Sequence, residues 1–210
     1  MSRRTLLSAE QRDRLFAIPV ERAEMARHYV LGADDLTLVR AKRRGMNRLG
    51  FAVQLCLLRH PGQGLGPGER PPDPMIAFVA EQLGLPPAVL SDYAQRDQTR
   101  REHAAELQAA LGMRRFGLAD WRSCLRIGAD AAWATDRGEP IVRAMLDDLR
   151  TTGVLIPAAT VLERIGLAAR VRARRRAFEA LAAGLTDAEG AALEALLATD
   201  PELRRSRFAW

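Results

Sequence analysis

The sequence predicts an all-α fold: two small helical domains in tandem, with helix-turn-helix-like units, joined by a Pro/Gly-rich linker. Three observations carry that prediction. Apolar residues recur three and four positions apart in most segments, the period of a helix with one buried face. Helix-start and helix-stop residues punctuate those segments, and no strand pattern of weight interrupts them. Residues 61–74 hold five prolines and four glycines, which excludes regular structure there.

Ser8 opens the first helix, with Gln11 three residues on in a capping-box pattern, and Ile18-Pro19 follows its end at Leu15 and Phe16. The second helix covers 20–30 and stops near Gly32. Its face Met25, His28, Tyr29 is core, and His28, with no second His or Cys at ligand spacing, is structural. The third, 34–44, has Asp34 and Asp35 as N-cap and first-turn residues. The fourth, 47–59, is capped by Asn47 and stopped by Pro61-Gly62. It is apolar nearly all round, from Leu49 and Phe51 to Leu57 and Leu58, so it is buried. Gly50 costs helix stability, which predicts the close approach of another backbone.

Beyond the linker, a helix at 74–83 and a short piece after Pro86-Pro87 lead to Thr99 and Glu102, a second capping-box pair that sets a helix start. Leu107 and Leu111 form the core face of that helix, and Gly112 ends it. A helix over 121–133 takes Asp120 as its cap. Pro140 begins the next at its first position, and Gly153 ends it after Thr152. Pro157 then opens a helix through Ile165 that exposes Thr160 and Arg164, a helix–turn–helix unit of a kind common in bundles as well as in DNA readers. Thr186, with Glu189, caps a last helix to Ala198.

Of 210 residues, 48% are hydrophobic, enough for one or two real cores, while the formal net charge is +6 and the pI about 10.5. That balance favours nucleic acid or an anionic membrane surface. Nearly all the cations are arginines, Lys42 being the only lysine. Codon bias in a GC-rich genome explains Arg in place of Lys, but not why the arginines cluster. Cys56 and Cys124 lie in apolar helical patterns without a CxxC, as core thiols in a reducing compartment do. The N-terminus meets charge too soon for a signal peptide, and no apolar run approaches the length of a membrane span. The expectation is a soluble, cytoplasmic protein.

The cations gather in three places. Residues 40–48 hold Arg40, Lys42, Arg43, Arg44 and Arg48 with no acid, between two helices and beside Asn47. A helix N-terminus beside such a cluster suits a phosphate backbone. Gln95, Arg96, Gln98, Arg100, Arg101 and His103 gather at the start of the helix after Thr99, and their side chains bond phosphates and base edges. Arg170, Arg172, Arg174, Arg175 and Arg176 follow without an acid among them and surround their helix rather than stripe it. The expected division assigns electrostatic contacts to Arg40, Lys42, Arg43, Arg44, Arg96 and the run 170–176. Base contacts fall to Asn47, Arg48, Gln98, Arg100 and Arg101.

Catalysis has little support. His28, His60 and His103 are scattered, and no metalloprotease, P-loop or nucleophile-elbow motif is present. Asp147 and Asp148 point apart on a helix and make a poor metal site, so neither metal nor cofactor is expected. Cations around the whole circumference of 170–176 argue against a membrane-surface helix. Aromatics, at 5%, do not interleave with the basic runs, which disfavours RNA binding by stacking. A helical interaction or regulatory module whose basic clusters bind an acidic partner stands as the alternative to DNA.

Several of these stretches resemble the N-terminal region of Tn-three-family transposases. The likeness lies in Arg27-His28-Tyr29, in 47–56 with Leu58-Arg59-His60-Pro61-Gly62, in 95–103, and in Leu155-Ile156-Pro157-Ala158 followed by Leu162-Glu163-Arg164. These occur in order and span nearly the whole chain. The resemblance implies tandem helical DNA-binding domains that recognise the terminal inverted repeats of a transposon. It also implies a magnesium-dependent Asp-Asp-Glu catalytic domain well downstream, for which 210 residues leave no room, and self-association through such downstream regions. The ending at Arg207-Phe208-Ala209-Trp210 reads as a cut through a continuing chain, or as the close of a stand-alone homologue. On this reading 1–61 is the first DNA-binding domain, 62–74 the linker, 75–168 the second domain, and 169–210 a basic helical extension.

Overall fold

Local sequence explains several helix starts in the computed structural model, which describes residues 5–64, 69–93, 97–199 and 206. Helix α1 (Ala9–Phe16) begins at the Ser8–Gln11 box, with Ser8 Oγ accepting from Gln11 N–H and the Gln11 side chain accepting from Ser8 N–H. Helices α2 (Arg22–Tyr29) and α3 (Ala33–Arg40) follow. Gly32, not Asp34, is the N-cap of α3, because Asp35 reaches back to accept from Gly32 N–H at 2.8 Å. α3 ends at Arg40, four residues earlier than expected, and residues 41–44 form the turn. Helix α4 (Gly45–Arg59) starts two residues before Asn47, so Asn47 is not its cap; Arg44 is.

Helix α5 (Asp73–Leu83), a 3-10 turn (Pro87–Val89), α6 (Leu90–Tyr93) and α7 (Asp97–Ala110) come next. The Thr99–Glu102 box does not set the start of α7. Both residues lie inside the helix, where Glu102 accepts instead from Gln98 Nε2 at 3.0 Å. Helix α8 (Leu118–Ala134) is capped at Gly117, with Asp120 in its first turn accepting Gly117 N–H at 2.9 Å. Helix α9 (Gly138–Thr151) starts two residues ahead of Pro140, and Gly153 beyond it takes φ +65°, the left-handed stop expected of it. Helix α10 (Ala159–Ala182) runs unbroken through the expected boundary at 168. Helix α11 (Asp187–Leu197) is capped by Thr186 and Glu189 as predicted. Among the described residues there is no strand, only isolated bridges, and the fold is all-α.

Two apolar cores organise these helices. The first surrounds α4, every residue of which from Leu49 to Leu58 is buried. Met25 and Tyr29 of α2, Val39 of α3, Met75, Ile76 and Val79 of α5, Leu90 and Tyr93 of α6, and Leu107 of α7 close over it. The second joins Leu6, Leu7 and Leu15 to Cys124 of α8, Ile141, Met145 and Leu149 of α9, and Leu162 and Ile165 of α10. Core packing therefore runs across 62–74 rather than stopping there, since α5, α6 and α7 all lie on α4. The chain's N-terminal segment meanwhile seats in the second core. Gly62, at φ +99°, is buried, and its carbonyl accepts from Ile156 N–H at 2.9 Å, while Gln63 Nε2 donates to the Pro157 carbonyl at 3.0 Å. These bonds stitch the two cores together.

Both cysteine thiols are buried and unpaired, and burial pushes Cys56 up to about 12 and Cys124 up to about 11, which keeps them protonated. His28 stacks on His60 with centroids 4.0 Å apart, a packing role. Gly50 admits a ring rather than a backbone: a Cβ there would lie 2.3 Å from Tyr93 Cγ.

Candidate nucleic-acid interface

The geometry brings together two basic clusters that lie some fifty positions apart in the sequence. Helix α4 packs against both α6 and α7, and Lys42 of the turn 41–44 reaches Glu106 of α7. Arg44, Met46 and Asn47 share one cleft with Asp92, Tyr93 and Thr99. Arg44 in that lining is exposed, as are Arg40 and Arg43 close to it in sequence and Gln98 and Arg101 on α7. The first turn of α4 carries no acid and no side-chain cap. Its first intrahelical bond is Arg48 N–H to the Arg44 carbonyl, so the amides of Gly45, Met46 and Asn47 precede the ladder, at the positive end of the helix dipole.

Other expected contact residues are committed to the scaffold. Lys42 donates to both oxygens of Glu106, at 2.6 and 2.5 Å, and sits 4.4 Å over the Phe51 ring, which ties the turn onto α7. Arg48 Nε donates to the Lys42 carbonyl at 2.7 Å and braces the turn from beneath. Arg100 is buried, at 8% exposure, and its carbonyl accepts from Gln54 Nε2 at 3.3 Å. That placement takes it off the exposed face of α7. The reason is helical phase, because Arg100 falls on the face of α7 shared with His103 and Leu107. Arg96, with Gln95, lies outside the described residues.

A buried polar network holds this face. Gln54 of α4 bonds the Tyr93 hydroxyl, which also lies 3.1 Å from His103 Nδ1. Burial pushes Tyr93 up to about 12 and, with Lys42 adding to the effect, pushes His103 below the usual imidazole value, so both are neutral at pH 7. Nothing in the local patterns pairs Gln54 with Tyr93 or Lys42 with Glu106; those contacts exist only once α4, α6 and α7 pack.

The second core presents Thr160 and Arg164, both exposed as expected. The arginine run 170–176 is less uncompensated than the sequence suggests. Asp136 accepts from Arg170 at 2.9 Å and from Arg174 at 2.9 Å, and Arg170's hydrogen bond lowers its pKa. Arg175 pairs with Glu179 at 2.7 Å, and Arg172 is exposed. Among the described residues no group of three or more metal-ligating side chains occurs, and no helix is long and apolar enough to cross a membrane.

The fold defines an all-α helical module in which the acid-free start of α4 and Thr99 of α7 line one cleft. Residues 6–169 match the family described as "Domain of unknown function (DUF4158)", and the chain belongs to that family. It is 43% identical over 197 residues to the transposase for transposon Tn501 of Pseudomonas aeruginosa, covering 94% of this chain and 20% of that one. It is 40% identical over 210 residues to the transposase for transposon Tn21 of Escherichia coli, and 31% over 209 to that for Tn1546 of Enterococcus faecium. Those alignments cover 100% and 99% of this chain, and 21% of each relative. The chain thus spans about a fifth of the length of the curated relatives it matches, their N-terminal part, and the resemblance read from the motifs holds.

Proposed function

We propose that the chain binds duplex DNA sequence-specifically and recognises the terminal inverted repeats of a transposon, as the non-catalytic N-terminal part of a transposase. The observation that carries this reading is the convergence of the acid-free α3–α4 turn and the start of α7 on one face, in a chain whose relatives are transposases. Arg40, Arg43 and Arg44 supply phosphate contacts that fix register, aided by the α4 amides. Asn47, Gln98 and Arg101 reach base edges, because an amide side chain suits adenine and a guanidinium suits guanine in the major groove. Lys42, Arg48 and Arg100 hold the face in shape. Thr160 and Arg164, on the second core, extend the contact along the same duplex. On this reading the catalytic steps are carried by sequence outside the match, which covers about a fifth of the relatives' length.

Footprinting on the ends of the parent element tests this proposal. The logarithm of the affinity should fall linearly with log salt, with a slope on the order of 5 to 8. A flat salt response, or equal affinity for cognate and scrambled duplex with tight binding to an acidic protein, would replace DNA by a protein partner.

A further inference from the structure

The second core carries a groove that joins two arginines of the run 170–176 to residues of α8. Helices α8 and α10 cross closely at Gly128, where an added Cβ would stand 3.1 Å from the Ala169 Cβ. Beside that crossing lies a groove lined by Arg126, Ala129, Asp130, Arg172, Ala173 and Arg176. Arg126 and Asp130 stand four apart on α8, and Arg172 and Arg176 four apart on α10, so each pair shares one helix face. The charges in the groove are unequally compensated. Asp130 lies 3.7 Å from Arg176, whose guanidinium also sits 5.1 Å over the Trp133 ring. Arg126 and Arg172 are exposed, and neither makes an ion pair among the described residues. Two uncompensated guanidinium groups from two packed helices therefore border a groove whose other walls are Ala129, Ala173 and the Asp130–Arg176 pair.

We infer that this groove is a second phosphate clamp for the DNA backbone, with Arg126 and Arg172 as its ligand-binding residues and Asp130 as the charge that limits its strength. The inference rests on the DNA-binding reading. A planar guanidinium matches two oxygens of a phosphate at once, and two of them held by rigid helices lose little freedom when a phosphate enters. Arg126 carries no signal in a linear reading, because it stands in no run of cations; α8 packing on α10 is what brings it to Arg172.

The test uses the whole chain and a scrambled duplex of about 30 base pairs, since phosphate contacts are blind to sequence. Each lost contact removes a salt slope of about 0.9, which is roughly fivefold in affinity at about 0.15 M salt. Arg126→Ala and Arg172→Ala should each weaken binding by about that factor, and the double variant by roughly 30-fold with a slope lower by about two. Asp130→Asn should strengthen binding severalfold, an effect that loss of folding cannot produce. Arg143→Ala, on α9 and paired with Glu139, serves as the unchanged control. If the wild-type chain binds the duplex while the double variant keeps its affinity and slope, or Asp130→Asn gains nothing, the clamp is overturned and the DNA reading stands. If the wild-type chain binds neither scrambled nor cognate duplex, both fall together.

Discussion

Replacing Gly50 by alanine should destabilise the fold and loosen the candidate face at once. A Cβ at position 50 would lie 2.3 Å from Tyr93 Cδ1 and Cγ and 2.4 Å from Cε1, well inside contact distance. Tyr93 is 3% exposed and cannot retreat freely. Its hydroxyl is bonded to Gln54 and lies near His103 Nδ1, and its ring stacks on His103 with centroids 5.6 Å apart. Overpacking a core by one methyl costs about 1–3 kcal/mol. Losing one of the buried bonds to the hydroxyl adds about 1 kcal/mol, and the better helix propensity of alanine returns about 1 kcal/mol. The net is a loss of about 1–3 kcal/mol, or roughly 2–4 °C in Tm for each kcal/mol in a chain of this size. Urea unfolding and thermal melts measure it, and DNA affinity is read on the same sample. Gly50→Ala in a Tyr93→Ala background should cost nothing further, because the ring that blocks the methyl is gone. A Gly50→Ala chain as stable as wild type would refute the packing that joins α4 to α6 and α7.

Three further outcomes follow from the same contacts. Burial, His28 and Arg150 depress His60 to about 4 from the 6.5 of the unfolded chain. Its contribution is therefore full above the unfolded value and is lost as pH falls from 6.5 toward 4. Urea titrations across that window should show the loss in wild type and a flatter profile in His60→Phe. Leu6→Ala should cost about 2–5 kcal/mol, because Leu6 is buried against Gly138 and Gly166 in the second core; a neutral effect in chemical denaturation would show that the N-terminal segment does not hold that core. A chain nicked by protease between 64 and 70 should elute as one body in size-exclusion chromatography, and 1–61 made alone should lack cooperative unfolding, because α4 needs α5, α6 and α7 to cover it. Separation of the nicked halves into two folded species would restore the linker reading.

The fold class was legible because helix signals are local. The Ser8–Gln11 and Thr186–Glu189 boxes, the stop at Gly153 and the all-round apolarity of α4 each depend on a few neighbouring residues, and each formed as read. Starts that depend on competition between neighbours moved by two residues or more, as at Gly45 and Gly138. The Thr99–Glu102 pair shows the cause: a capping pattern forms only at a helix end, and α7 extends past it to Asp97. The site was legible in composition but not in arrangement. Arg43 and Arg101 were identifiable as exposed cations, yet nothing local shows that Arg100 turns inward, that Lys42 is taken by Glu106, or that Asp136 engages Arg170 and Arg174. Those facts belong to long-range packing.

The central claim is that one face, built from the α3–α4 turn and the start of α7, reads a DNA sequence. Its most direct test is the hydroxyl-radical footprint of the chain on a duplex carrying the terminal inverted repeat of its parent element, run for wild type, Arg43→Ala and Arg101→Ala. The account predicts a protected tract on the cognate end and not on a scrambled one. Arg101→Ala should lose about 1–3 kcal/mol on the cognate duplex and much less on the scrambled one, while Arg43→Ala weakens both alike and lowers the salt slope by about one. Protection that is the same on cognate and scrambled DNA, with Arg43→Ala and Arg101→Ala indistinguishable on both, would contradict it.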